Sequence, residues 1–321
     1  MKILITGGGG FLGFRLARAL LGRGKLGGKP ITSITLLDGA FPEAAAKEPR
    51  LNAVVGDVAD ANVIADVCPP DTDAVFHLAA VVSGAAESDF DLGMRVNLKG
   101  TELLLAQMRK CAQPPRLVYT SSVAAFGGEL PAVLDDSTVA NPQTSYGTQK
   151  VIGEYLVSDY SRKGFIDGRS LRLPTIVVRA GKPNAAASSF ASGIVREPLN
   201  GVVSECPVGP DTGVWMLSPG RVVEAFLHAW ELPAESWGAQ RWLNLPGITA
   251  SVAQMVEALK RVAGAKVAER VVYKSDARIQ AIVKTWPVNF RTPRALAMGF
   301  APDRDVESII RDYVADESLR I

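Results

Sequence analysis

Residues 2–13, Lys-Ile-Leu-Ile-Thr-Gly-Gly-Gly-Gly-Phe-Leu-Gly, constrain the fold of this chain more than any other stretch. The first five read as a short strand buried in a parallel sheet. Four glycines follow. After Phe11-Leu12-Gly13 an amphipathic run through Leu21, with Phe14, Leu16, Ala17, Leu20 and Leu21 apolar, reads as a helix. A glycine turn between strand and helix lets backbone approach an anion closely, and the helix start offers N–H groups and a positive dipole end. The loop satisfies two spacings at once. Gly8, Gly10 and Gly13 make G-x-G-x-x-G, while Gly7, Gly10 and Gly13 make G-x-x-G-x-x-G. Gly7, Gly10, Phe11, Leu12 and Gly13 are therefore candidate contacts to a dinucleotide.

The remainder of the first half repeats strand and helix. Ile31–Asp38 reads as a second strand ending in an acid, which suits hydrogen bonds from adenosine ribose hydroxyls. That charge would repel a 2′-phosphate, and no arginine stands among Gly39, Ala40 and Phe41, so NAD is expected rather than NADP. Asn52–Gly56 reads as a third strand, with Asp57 and Val58 placed to line an adenine pocket. Ala74–Ala80 reads as a fourth, ending in Leu78, Ala79 and Ala80, small enough at the end for a cofactor to lie against it; His77 within it is expected to be a packed core histidine. A polar segment, Ser83–Asp91, leads into a long helix reaching about Arg109 and carrying Asn97. Arg116–Ser122 reads as a fifth strand whose terminal hydroxyls face the ligand crevice, with Ser122 preferred to Ser121 as the partner of a substrate oxygen. Arg169–Val178 reads as a sixth strand, interrupted by Pro174. Such alternation implies an α/β fold, a doubly wound parallel sheet with helices on both faces.

Between the fifth and sixth strands, Ser145–Ser161 reads as a helix opening on Ser-Tyr-Gly-Thr-Gln-Lys. Of six tyrosines only Tyr146 is followed four residues later by a lysine, Lys150. On a helix the two share a face. A phenol has a pKa of about 10, and a nearby ammonium lowers it toward the range useful in proton transfer.

Lys and Arg number 35 against 33 Asp and Glu, a formal net charge of +2, which gives no support to a nucleic-acid or membrane-surface role. Cys68, Cys111 and Cys206 are dispersed and odd in number, as expected in a reducing cytoplasm. With only His77 and His228 besides, no metal-ligand cluster is visible. Met1-Lys2 running straight into a strand argues against a secretory leader. After Val178 the composition shifts. Residues 180–199 are small and hydroxyl-rich, suited to lining a pocket for a small polar ligand, with Arg196 available to clamp a carboxylate. Residues 221–230 and 251–263 read as helices, 241–245 as a strand, and the tail as a mixed subdomain.

The ordered set Thr6-Gly-Gly-Gly-Gly-Phe-Leu-Gly13, Asp57-Val58, His77-Leu-Ala-Ala80, Asn97, Thr120-Ser-Ser122 and Tyr146-x-x-x-Lys150 resembles the extended short-chain dehydrogenase/reductases, the NAD-dependent epimerase/dehydratase superfamily. The resemblance implies a Rossmann domain over 1–178 plus about 221–263. It implies a smaller mixed substrate-binding subdomain from about 179–220 and 264–321. It also implies bound NAD, with Tyr146, Lys150 and Pro174 among its contacts, and a catalytic group of Ser122, Tyr146 and Lys150. Asn97 would hold the active-site helix or a proton-relay water. Substrate contacts are expected from Ser83, Ser122, Arg179, Ser188, Ser189 and Arg196, with the choice between the two arginines open, and the assembly is expected to be a homodimer.

Within the superfamily, Val81-Val-Ser-Gly84, Asp89-Phe-Asp-Leu-Gly-Met-Arg95, Asp159-Tyr-Ser-Arg-Lys-Gly164 and Ala185-Ala-Ala-Ser-Ser-Phe190 look like the D-erythronate dehydrogenases. That likeness implies oxidation of the C2 hydroxyl of a short sugar acid with reduction of NAD. Two alternatives stay open: a nucleotide-sugar epimerase or dehydratase that retains its NAD, and a dinucleotide-binding sensor without catalysis. Net NADH formation separates the first, and the intact Ser122, Tyr146 and Lys150 argue against the second.

Overall fold

A computed structural model describes residues 1–181 and 186–319 of the chain. These divide into two compact units, one formed by Met1–Ala125, Thr144–Arg172 and Val223–Leu243, the other by Phe126–Gln143, Leu173–Val222 and Asn244–Ile321.

The first unit is built on a seven-stranded sheet. Its strands are β1 (Lys2–Thr6), β2 (Ser33–Asp38), β3 (Leu51–Val55), β4 (Ala74–His77), β5 (Arg116–Ser122), β6 (Asp167–Leu173) and β7 (Trp242–Asn244). Their spatial order is β7-β6-β5-β4-β1-β2-β3, and the ladders β3-β2-β1-β4-β5 are parallel. Ile3, Leu4 and Ile5 are buried without alternation because helices cover both faces of β1. The strand order reverses beside β1, which is flanked by β2 on one side and β4 on the other. That switch point opens a crevice at the strands' carboxyl ends, where doubly wound sheets bind ligands.

The expected Arg169–Val178 strand is two strands. β6 ends at Leu173, and Thr175–Ile176 pairs instead with Gly213–Leu217 in a separate three-stranded sheet. Pro174 stands at the break, where it has no N–H to give to a ladder. The fourth strand also stops short, at His77 rather than Ala80.

The second unit gathers Phe190, Ile194, Val195, Met216, Met255, Leu259 and Ile310 into its own core. Helix Val252–Ala263, grouped in the sequence with the first domain, belongs to this one because Val252, Met255, Ala258 and Leu259 pack there. Its start is set locally: the Gln254 amide donates to Ser251 Oγ at 3.2 Å and the Ser251 amide donates to Gln254 Oε1 at 2.7 Å. No helix among the described residues is long and apolar enough to cross a membrane.

Candidate active site

The glycine loop leaves β1 as a turn without room for side chains. Gly7 has a φ of +70°, and a Cβ there would stand 2.7 Å from the Ala79 nitrogen. A Cβ on Gly13 would stand 2.1 Å from the Gly7 carbonyl oxygen. Gly10 precedes helix Phe11–Arg23, and no side chain caps that end. The helix start thus keeps its positive dipole end and backbone donors for a ligand. Phe11 and Leu12 form the first helical turn, whereas Gly7 and Gly10 line the cleft.

Asp38 closes one side. Its Oδ2 accepts from the Gly9 amide at 3.0 Å and its Oδ1 from the Ala40 amide at 3.4 Å. Gly9, which had no role in either glycine spacing, proves necessary here, since a Cβ on it would meet the Ala40 carbonyl oxygen at 2.0 Å. The cleft has a volume of about 580 Å³, and Asp57, Val58, Leu78, Ala79 and Ala80 complete its walls. Asp57 accepts from the Ala59 amide at 2.9 Å and pairs with Arg95. The amide first, and Arg95 with it, hold this carboxyl below the usual carboxylate range. Arg95 gave no signal in the sequence: it reaches Asp57 from a π-helical turn, Met94–Lys99, that interrupts the expected long helix. A cradle that one methyl group would obstruct, an uncapped helix start and an acid at the end of β2 together fit the pyrophosphate and ribose of NAD.

Past the cleft lie the residues expected to handle the proton. Helix Ser145–Arg162 starts where the Thr144 side chain accepts from the Gly147 amide at 3.1 Å. It carries Tyr146 and Lys150 one turn apart. Lys150 is buried, its Nζ donating to the Thr120 carbonyl at 2.8 Å and standing 5.7 Å from the Tyr146 ring centroid and 4.9 Å from that of Tyr119. Burial lowers its pKa to about 7, against the opposing pull of Glu154. Of the two candidate serines, Ser121 is buried and donates to Glu154 Oε1 at 2.5 Å. Ser122 Oγ accepts from the Ala124 amide at 3.1 Å, which leaves its own hydroxyl proton to donate elsewhere.

Asn97 is buried in the π-helical turn. Its Oδ1 accepts from the Val81 amide at 2.8 Å, and its Nδ2 donates to Gln149 Oε1 at 2.8 Å. It thereby ties the segment after β4 to the residue beside Lys150. His77 is the core histidine expected: its Nδ1 lies 2.6 Å from Thr6 Oγ1, its Nε2 lies 2.9 Å from Thr101 Oγ1, and burial lowers its pKa to about 3.

The substrate candidates are divided. Ser83 begins a short helix, Ser83–Ser88, in the first unit. Arg179, Ser188, Ser189 and Arg196 belong to the second, where Ser189 opens helix Ser189–Leu199. The Arg179 amide donates to Ser192 Oγ at 3.0 Å. Arg196 does not stand free as expected. It is buried, donating to the Arg179 carbonyl at 2.8 Å and to Glu197 Oε1 at 2.5 Å. Residues 182–185, part of the segment expected to line the pocket, lie outside the described residues.

Residues 3–230 match the model of the NAD dependent epimerase/dehydratase family. The chain is 54% identical over 323 residues to a D-erythronate dehydrogenase of Cupriavidus necator, covering 99% of each. It is 42% identical over 314 residues to a D-erythronate dehydrogenase of Haemophilus influenzae, covering 98% of this chain and 99% of the relative. A crystal structure described as the nucleoside-diphosphate-sugar epimerase from Agrobacterium tumefaciens superposes with a TM-score of 0.93 at 42% identity, over 99% of this chain and 94% of that one.

Proposed function

The chain belongs to the NAD dependent epimerase/dehydratase family, and from that premise we propose that it is a dehydrogenase oxidising the C2 hydroxyl of D-erythronate to the 2-oxo acid with NAD. The observation that carries this is near-full-length identity of 54% to a D-erythronate dehydrogenase. Bound NAD supplies the acceptor for the hydride released from C2. Gly7, Gly10 and the start of helix Phe11–Arg23 would hold its pyrophosphate, Asp38 its adenosine ribose and Asp57 with Val58 its adenine. Tyr146, as phenolate, takes the proton of the C2 hydroxyl. Ser122 donates to the same oxygen and fixes its direction. Lys150 favours the phenolate through its charge, and Asn97 holds the helix that bears both residues against the segment after β4.

Steady NADH absorbance from purified protein with a panel of four- and five-carbon sugar acids tests this. D-Erythronate with NAD is expected to give the highest kcat/KM, and NADP a lower one because of Asp38. No net NADH with any acid would overturn the proposal. The epimerase description of the Agrobacterium structure supports a second reading, in which NAD stays bound and no NADH accumulates.

The substrate carboxylate is proposed to meet Arg179 or Arg196, the latter already bonded to Glu197, and substitution of the first chooses between them. Arg179→Met is expected to raise KM for the acid about tenfold or more, the worth of a charge-assisted hydrogen bond, with NAD affinity unchanged; an unaltered KM would return the role to another residue. A homodimer is also proposed, supported by the exposed Phe90 and Tyr155 rings on the first unit, and sedimentation equilibrium tests it. The three free cysteines support a reducing, cytoplasmic setting, which cell fractionation tests.

A further inference from the structure

Helix Ser145–Arg162 carries a buried carboxylate in line with the half-buried Tyr146 and the buried Lys150. Glu154 follows Lys150 by four residues, so the three lie along one face. Both of its carboxylate oxygens are engaged. Oε1 accepts from Ser121 Oγ at 2.5 Å and from Arg172 Nε at 2.8 Å, while Oε2 accepts from the Arg172 terminal nitrogen at 2.6 Å. The Arg172 and Glu154 side chains are 4% and 2% exposed. A buried ion pair is a poor device for stability alone, since well-packed apolar residues in its place are often neutral or better.

We propose that Glu154 is a positioning residue for proton transfer: held by Arg172 and Ser121, its carboxylate sets the charge balance at Lys150 and Tyr146. This rests on the assignment of those two residues as the proton-handling pair. The charge environment of Lys150 carries it. Tyr146 and Glu154 face it from its own helix, Tyr119 from β5, His77 from β4, and Arg172 lies beyond Glu154 on β6. His77 is neutral, and Glu154 is the one anion in this set. Glu154 is bonded to Ser121 and Arg172, while Lys150 donates to the Thr120 carbonyl and is not locked in a direct ion pair with that carboxylate. Its ammonium is thus stabilised through space and remains free to act on the phenol. Ser121 adds a mechanical link, since it precedes Ser122 on β5 and its bond to Glu154 fastens that strand end to the helix.

The anion acts through space on both side chains, favouring the ammonium of Lys150 and opposing a phenolate at Tyr146. Removing a charge one helical turn away is expected to move both limbs of the pH–kcat profile downward by about one pH unit or more. A purely structural role would lower the plateau and leave the limbs in place. Glu154→Gln is therefore expected to shift both limbs to lower pH, while Glu154→Asp, which keeps the charge, leaves them within about 0.3 unit of the parent on the same Coulomb reasoning. Glu154→Gln/Arg172→Met removes the pair as a neutral unit and keeps the test alive where the single variant does not fold. Its limbs are expected to shift down by less, because Glu154 is nearer Lys150 than Arg172 is. Without cofactor or substrate, tyrosinate absorbance against pH, taken as the difference between each variant and its Tyr146→Phe counterpart, is expected to show the same order. Unmoved limbs in Glu154→Gln or in the double variant, or an equal shift in Glu154→Asp, overturn the proposal. Tyr146→Phe assayed in parallel separates the two levels: activity surviving there overturns the catalytic assignment itself.

Discussion

A chain carrying Tyr146→Phe is expected to lose about 10³-fold in kcat with D-erythronate, within the range for removing a general base, and to bind NAD as the parent does. The substitution deletes one oxygen and keeps the ring, so the contact between that ring and Lys150 persists. The cleft that would hold the dinucleotide is walled by Gly7, Gly10, Asp38, Asp57 and Leu78–Ala80, and Tyr146 is not among its lining residues. Tyr146 is only partly buried, so folding stability should change little. A loss confined to transition-state stabilisation lowers kcat and kcat/KM together. Steady-state kinetics paired with calorimetric NAD titration checks both halves. Turnover within tenfold of the parent would remove Tyr146 from the proton-transfer role. A parallel loss of NAD affinity would instead place it in cofactor binding.

The parts of the site that were legible in the sequence are those whose chemistry is local. Gly7, Gly10 and Gly13 announce themselves because a turn that admits no Cβ needs glycine at fixed offsets. Tyr146 and Lys150 do so because helical spacing alone puts them on one face. Glu154 has the same spacing from Lys150, yet in sequence such a lysine and glutamate look like an ordinary solvent-exposed helix pair. What makes Glu154 different is Arg172, eighteen positions away on β6, and no local pattern brings these two together. Arg95 was hidden for a related reason: an α-helical reading of residues 92–109 does not anticipate the wider π-helical turn from which it meets Asp57. Arg196 illustrates the converse. An arginine among small hydroxyl residues looks available, but its neighbour Glu197 and the Arg179 carbonyl engage it. The second unit was the least legible, because its strands run to only two to five residues and take their partners from distant segments.

Lys150→Met is expected to separate activity from stability. With the ammonium gone, the charge that favours the phenolate is lost, and kcat should fall about 10²-fold or more. Stability should move the other way. Burial holds the Lys150 pKa at about 7 in the folded chain, against the ordinary lysine value of 10.5. Below pH 7 both folded and unfolded chains carry the charge, and the folded state bears the full cost of burying it. Between these values the unfolded chain holds the extra proton, so this group makes stability rise with pH. From pH 7 to pH 9 the contribution is on the order of 2 kcal/mol, at about 1.4 kcal/mol per unit. The window ends there because the raised Cys68, Cys206 and Tyr119 groups titrate against folding at higher pH. His77, lowered to about 3, acts only in acid. Urea unfolding of cofactor-free protein should therefore show a steeper rise from pH 7 to 9 in the parent than in Lys150→Met, by about that amount, with the variant at least as stable at pH 7. Equal slopes in the two proteins would mean that Lys150 stays charged throughout, and its influence on Tyr146 would then come from a permanent ammonium rather than one poised near neutrality.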